Sequence, residues 1–226
     1  MGMDDAGLAG AVDATVAAGT AYYELLLESE PAGIVRTRSQ GVCDFARRRA
    51  ATHTVTEVPE GVPDQFQITD GGVVHSTESG DEWYALDMGG WGAASLLAVL
   101  GWLYGAVDAR SGDDGERTVT MSARRALETC PASLRPELAT AFGQSGHLEA
   151  VATGRVRTDA ANRVTGFRLD LPYSRDGLFG SLDVGSRTVL TLSGFGEPAD
   201  IRPPDSGPVQ PVGEFVERLL RADESE

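Results

Sequence analysis

Lysine is absent from this chain of 226 residues. All 19 basic side chains are arginine, and they face 34 aspartates and glutamates, for a net charge of -15. The exclusive use of arginine reads as genomic base composition, not as chemistry. The acidic excess excludes a sequence-independent grip on nucleic acid or on an anionic lipid surface, because no net positive field is available to hold phosphates. Cysteine is scarce too. Cys43 and Cys130 are far apart and show no Cys-x-x-Cys spacing, which is too few ligands for a zinc site. Whether the two pair stays open; unpaired thiols in apolar surroundings are the plainer reading. Only three histidines occur, His53, His75 and His147, and no two share a metal-ligand spacing.

Signatures of catalysis are missing as well. "TLSGFG" holds Ser193 without the Gly-x-Ser-x-Gly elbow, "GGWGAAS" lacks the Gly-Lys-Ser/Thr of a phosphate loop, and "DARSGDDGE" lacks the alternation and closing glutamate of a calcium loop. The expectation is therefore no catalytic residue, no metal and no cofactor. The start, "MGMDDAGLAGAVDA", carries acids where a secretion signal needs basic residues. As written, the chain is expected in the cytoplasm, or outside it if a leader has been removed.

Long apolar runs are rare, with one exception. "MGGWGAASLLAVLGWLYGAV", Met88 to Val107, holds no charge, over about the length of a bilayer span. Five glycines, no basic flank and a position between strands of one sheet argue against spanning. Apolar on all sides, the run reads as a helix buried on both faces.

Elsewhere the pattern is mostly β. Leu8 to Glu28 is predicted to be one helix, ended by "SEPAG". A meander of four or five strands follows, with a hairpin at Asp70-Gly71-Gly72. "RTVTMSARRALETC" is predicted as a strand and "PASLRPELATAFGQSG" as a helix. "HLEAVATGRVRTD" and "RVTGFRLDLPY" are predicted to pair around "AAN". A last strand or strand pair ends at Pro203-Pro204, and Phe215, Val216, Leu219 and Leu220 give a short amphipathic helix. Strands in two runs with helices between them read as an α+β fold in a single domain, with a core over 8–204 and an extension over 205–226.

Several segments in this order resemble the LolA/LppX-like lipoprotein-carrier family of actinobacteria. They are the N-terminal helix, "GVCDFARRRA", the hairpin "DGGVVHS…DEWYALD", the helical insert, "GRVRTDAANRVTGFRLDL" and "TLSGFGEPADIRPP". The resemblance covers about residues 8 to 204. It implies a strongly curved antiparallel half-barrel sheet, closed by helices over an apolar cavity that holds acyl chains, and no catalytic residues. Members of the family are exported and often anchored on a cysteine near the start. Neither feature is seen here.

The leading expectation is thus a non-catalytic binding or carrier protein for a hydrophobic, lipid-like ligand. The expected lining is Phe45, Phe66, Trp83, Trp91, Leu96, Leu100, Leu103, Phe167 and Leu169. Arg47 and Arg49 are candidates for a head group at the cavity mouth, since a guanidinium binds carboxylate or phosphate bidentately. Two alternatives stand beside it. One is an enzyme of cyclase or isomerase type acting on a hydrophobic intermediate, where shape and a few polar groups suffice. The other is an interaction module that uses the apolar helix to form a homodimer or to dock a protein partner.

Overall fold

Gly19 decides how the N-terminal segment folds. Its φ of +84° is the left-handed conformation that ends helices. Helix α1 (Ala6–Ala17) stops just before it, and Gly19 N–H closes the last turn on the Val16 carbonyl at 3.1 Å. Strand β1 (Thr20–Glu30) begins immediately after. The single helix predicted over Leu8–Glu28 is therefore corrected to a helix followed by a strand. The run Leu25-Leu26-Leu27 satisfies either period, so only its two neighbouring strands decide the outcome.

The computed structural model describes residues 6–30, 35–77, 82–87, 94–112, 115–144, 148–177, 180–205 and 207–211. After β1 come β2 (Val35–Asp44), β3 (Arg49–Val58), β4 (Gln65–Asp70), β5 (Val73–Thr77) and β6 (Tyr84–Asp87), each antiparallel to the one before. Gly71, at φ +61°, supplies the tight turn expected between β4 and β5. The second run is β7 (Ala106–Ser111), β8 (Arg117–Ser122), β9 (Val151–Thr158), β10 (Val164–Gly177) and β11 (Gly180–Ser193). Pairing of β1 with β11 joins the two runs, so the sheet order is β12-β6-β5-β4-β3-β2-β1-β11-β10-β9-β8-β7, where β12 is Gln210–Pro211.

This overturns the expected α+β half-barrel closed by helices. Of the described residues, about half are in strands and 22% in helices. The sheet is one open run of twelve strands whose edges, β7 and β12, do not pair with each other. It is mixed, because β12 lies parallel to β6. The helices gather at one side. Helix α2 (Ala94–Gly101) runs into a 3-10 turn (Trp102–Gly105), which packs on α1, on β8 and on α3 (Ala123–Thr129); α4 (Arg135–Gln144) packs on α2 and α3. The apolar side chains explain this clustering. Leu100, Leu103, Leu138 and Phe142 share one buried apolar cluster with Val119, Met121, Phe167 and Leu190 of β8, β10 and β11. The inner faces of β2–β5 carry mostly hydroxyls and amides, and offer the helices less apolar surface. The predicted strand "RTVTMSARRALETC" is likewise corrected: Ser122 caps α3 by accepting from the Arg125 N–H, and splits the segment into β8 and a helix.

The apolar run that could have spanned a membrane is shared among three elements. Within its described part it forms α2, the 3-10 turn and the start of β7. Its glycines serve close packing: a Cβ on Gly105 would lie 2.1 Å from the Ser122 carbonyl oxygen, and one on Gly101 would meet the Leu138 side chain at 2.4 Å. Among the described residues, no helix is long and apolar enough to cross a membrane. Residues 88–93, with Trp91 and the three glycines Gly89, Gly90 and Gly92, lie outside the described residues, as do His147 and the segment predicted as a C-terminal helix.

Candidate functional site

Alternation along β1 to β4 builds two grooves on opposite faces of the same strands. Tyr23, Leu25 and Leu27 point to the helix side, whereas Tyr22, Glu24 and Leu26 point away from it. The register carries the alternation across the sheet. Tyr23 faces Gly41 of β2, which faces Thr52 of β3, which faces Gln67 of β4.

The inner groove lies between α2 and β1–β5 and has a volume of about 300 Å³. One wall is apolar, formed by Leu96 and Leu97 of α2 with Phe45 and Val74. The floor combines Leu25 and Leu27 with a row of hydroxyl and amide groups: Thr37, Ser39, Thr52, Thr54, Gln67 and Thr69. Ser39, Thr52 and Thr54 are hydrogen-bonded. Ser39 Oγ and Thr54 Oγ1 are 2.8 Å apart, and the Tyr23 hydroxyl bonds Thr52 Oγ1. That second bond crosses a whole strand, over the bare Gly41. No side chain fits there, because a Cβ would sit 2.0 Å from the Ala51 carbonyl oxygen. The floor therefore sets polar groups among apolar ones, an amphiphilic surface and not the wholly apolar one expected.

Arginines stand at the mouth, and each is matched by a carboxylate. Arg49 donates two N–H groups to Asp70, at 2.8 and 3.1 Å, and the hydrogen bond to Asp70 raises its pKa. Arg48 pairs with Glu137 of α4 and donates to the Ser133 carbonyl at 3.4 Å. Arg47 pairs with Asp44 at 3.3 Å and is 70% exposed, outside the groove lining. Of the two head-group candidates, Arg49 borders the groove and Arg47 does not, while Arg48 borders it as well.

Cys43 sits in the same lining, its thiol donating to the Ala21 carbonyl at 3.4 Å. Burial pushes its pKa up to about 12, and burial pushes Tyr23 up to about 12 as well. Cys130 is buried, free and also raised, first by burial. Two results are expected. The native protein resists iodoacetamide at pH 8 at both thiols and is labelled at both in urea, as intact-mass measurement shows, because the thiolate is the nucleophile. Cys43 and Tyr23 keep their protons in the fold at a pH where the unfolded chain gives them up. The stability they carry is intact below about pH 9 and is lost as pH rises toward about 12. Urea titrations at pH 8 and 11 measure the difference.

The outer groove, on the other face, has a volume of about 890 Å³. Two cross-strand rows form its floor. Tyr22, Val42, Ala51 and Ile68 make an apolar row with Ser193 at its end; Thr191, Glu24, Gln40, His53 and Phe66 make a polar row with a ring at its end. His53 stacks on Phe66, with ring centroids 4.5 Å apart and planes at 6°, and bonds Asp64 at 2.8 Å. Trp83 borders the same space.

The residues expected to line one cavity are thus distributed. Phe45 and Leu96 line the inner groove, and Phe66 and Trp83 the outer one. Leu100, Leu103, Phe167 and Leu169, each no more than 2% exposed, lie in the packed core. Trp91 is outside the described residues. Tyr23, Leu25, Ser39, Thr52 and Thr54 were not among the expected lining. Their signal was the two-residue alternation from Tyr22 onward, obscured by the helical reading of that segment. Among the described residues no cluster of histidine, cysteine and carboxylate side chains is arranged to hold a metal ion. No protein-family model matches the chain, and no curated protein matches it in sequence.

Proposed function

We propose that this protein binds a hydrophobic, lipid-like ligand in the inner groove and acts as a carrier without chemistry of its own. The observation that supports this reading is the groove itself: a space of about 300 Å³ with an apolar wall on the α2 side and Leu25 and Leu27 among the hydroxyls of the sheet side, within the size range of small-ligand sites. Leu27, on the same face, is 40% exposed, so the apolar floor continues along β1 toward solvent and gives a chain-like ligand a way in. The hydroxyl row alongside suits an amphiphile better than a plain hydrocarbon. Motifs that resemble the LolA/LppX-like carriers support the same reading, without the closed half-barrel.

Extraction and mass spectrometry of protein purified without detergent test it. A lipid-like molecule that co-purifies, or saturable uptake of a fluorescent fatty-acid analogue, is the expected result. Neither being seen overturns the proposal.

A further inference from the structure

The outer face holds a charge pattern that the inner groove does not explain. Four neighbouring strands present Asp170, Arg187, Glu28 and Arg36 in one cross-strand row of alternating sign. Arg187 bonds Asp170 at 2.8 Å, and Arg36 bonds Glu28 at 2.8 Å. Glu57 is matched by Arg38 at 2.9 Å, and Asp64 by His53 at 2.8 Å. Pairs of this kind are ordinary cross-strand complementarity. Glu24 breaks the pattern. It stands on the same face, two rows from that ladder, between Thr191 and Gln40. Among the described residues its carboxylate has neither a cation nor a hydrogen-bond partner.

Its surroundings are the second observation. The apolar row lies directly beside it, two residues along each strand, about 7 Å away. From Tyr22 to Ile68, three strand spacings make that row about 14 Å long. Tyr22 is 44% exposed, and Phe66, 40% exposed, stacks on His53 at the far end of the row that holds Glu24. Thus an unmatched carboxylate borders an apolar strip with aromatic faces. An ammonium group is attracted both to a carboxylate and to the faces of aromatic rings, whereas an anion is repelled by Glu24 and by the chain's net charge of -15.

We propose that the outer groove is a second binding site, distinct from the inner one, for a cationic amphiphile. Its apolar body lies along Tyr22, Val42, Ala51 and Ile68, and its ammonium group pairs with Glu24. The partner is thus a small apolar amine or quaternary ammonium compound.

Calorimetric titration of the full chain with dodecyltrimethylammonium, below its micellar concentration, tests this. Dodecyl sulfate and dodecyl maltoside serve as the anionic and neutral counterparts. Expected are saturable binding of the cation at one site and at least tenfold weaker binding of the anion. Glu24→Gln, at an exposed position, should weaken the cation at least tenfold and leave the neutral compound unchanged. Glu128→Gln, an exposed carboxylate on α3, should have no effect. Ser39→Trp, in the inner groove, should leave cation binding intact, which separates this site from that one. The proposal is overturned if Glu24→Gln binds the cation like the parent, if Glu128→Gln weakens it equally, or if Ser39→Trp removes it.

Discussion

Ser39→Trp is expected to weaken uptake of a hydrophobic ligand at least tenfold while the protein stays folded. Ser39 stands mid-floor in the inner groove, opposite Leu25 on one neighbouring strand and Thr54 on the other. It is half-buried, so a larger side chain extends into the groove and not into packed core. An indole there occupies much of a space of about 300 Å³. The substitution also removes the Ser39–Thr54 hydrogen bond, a loss of about 1 kcal/mol that a chain of this size can absorb. A tenfold loss of affinity corresponds to about 1.4 kcal/mol. Titration with a fluorescent fatty-acid analogue gives the affinity, and a thermal melt gives the stability. Undiminished affinity in a folded variant would place the ligand elsewhere.

Phe167→Ala is the complementary case. The sequence marks Phe167 as apolar and strand-borne, as it does Phe45, and nothing in the local pattern separates the two. The fold does. Phe167 lies on β10 between Val156 and Leu190 and is 1% exposed. Its ring approaches the bare backbone of Gly154, where a Cβ would come within 3.1 Å of it. Truncation leaves a cavity that the surrounding Met121, Val156 and Leu190 cannot close. The expected cost is about 3–5 kcal/mol, read as a lower urea midpoint with an unchanged slope. Ligand affinity of the folded fraction is expected to stay at the parental value. A loss of affinity without a loss of stability would mean that Phe167 lines the site after all.

The pair shows where sequence reading succeeded and where it stopped. Strands carrying one-face alternation were legible, as at β9, whose side chains alternate strictly between exposed and buried. The hairpin at Asp70-Gly71-Gly72 was legible because glycine is the residue that reaches positive φ without strain. Helix α4 was legible from its proline start. The division of Leu8–Glu28 was not. Ala-rich and Leu-rich stretches serve helix and strand alike, and β1 is fixed by pairing with β2 and β11, the latter some 160 residues away in sequence. The apolar run at 88–107 was read as one helix because composition cannot show where a backbone must turn. Close approach of Gly105 to Ser122 does show it.

What the sequence determined by itself follows from local chemistry: an acidic, lysine-free surface, the places where glycine and proline interrupt regular structure, and strands with one apolar face. Which strands became neighbours was decided only by tertiary structure. That choice turned the side chains of Tyr22 and Tyr23, adjacent in the chain, to opposite faces of one sheet. It left Glu24 unmatched among paired charges, and it buried Leu100, Leu103, Phe167 and Leu169 in the packed core. The physical reason is that burial and charge pairing depend on the side chains that arrive from distant strands, and a local pattern holds no record of them.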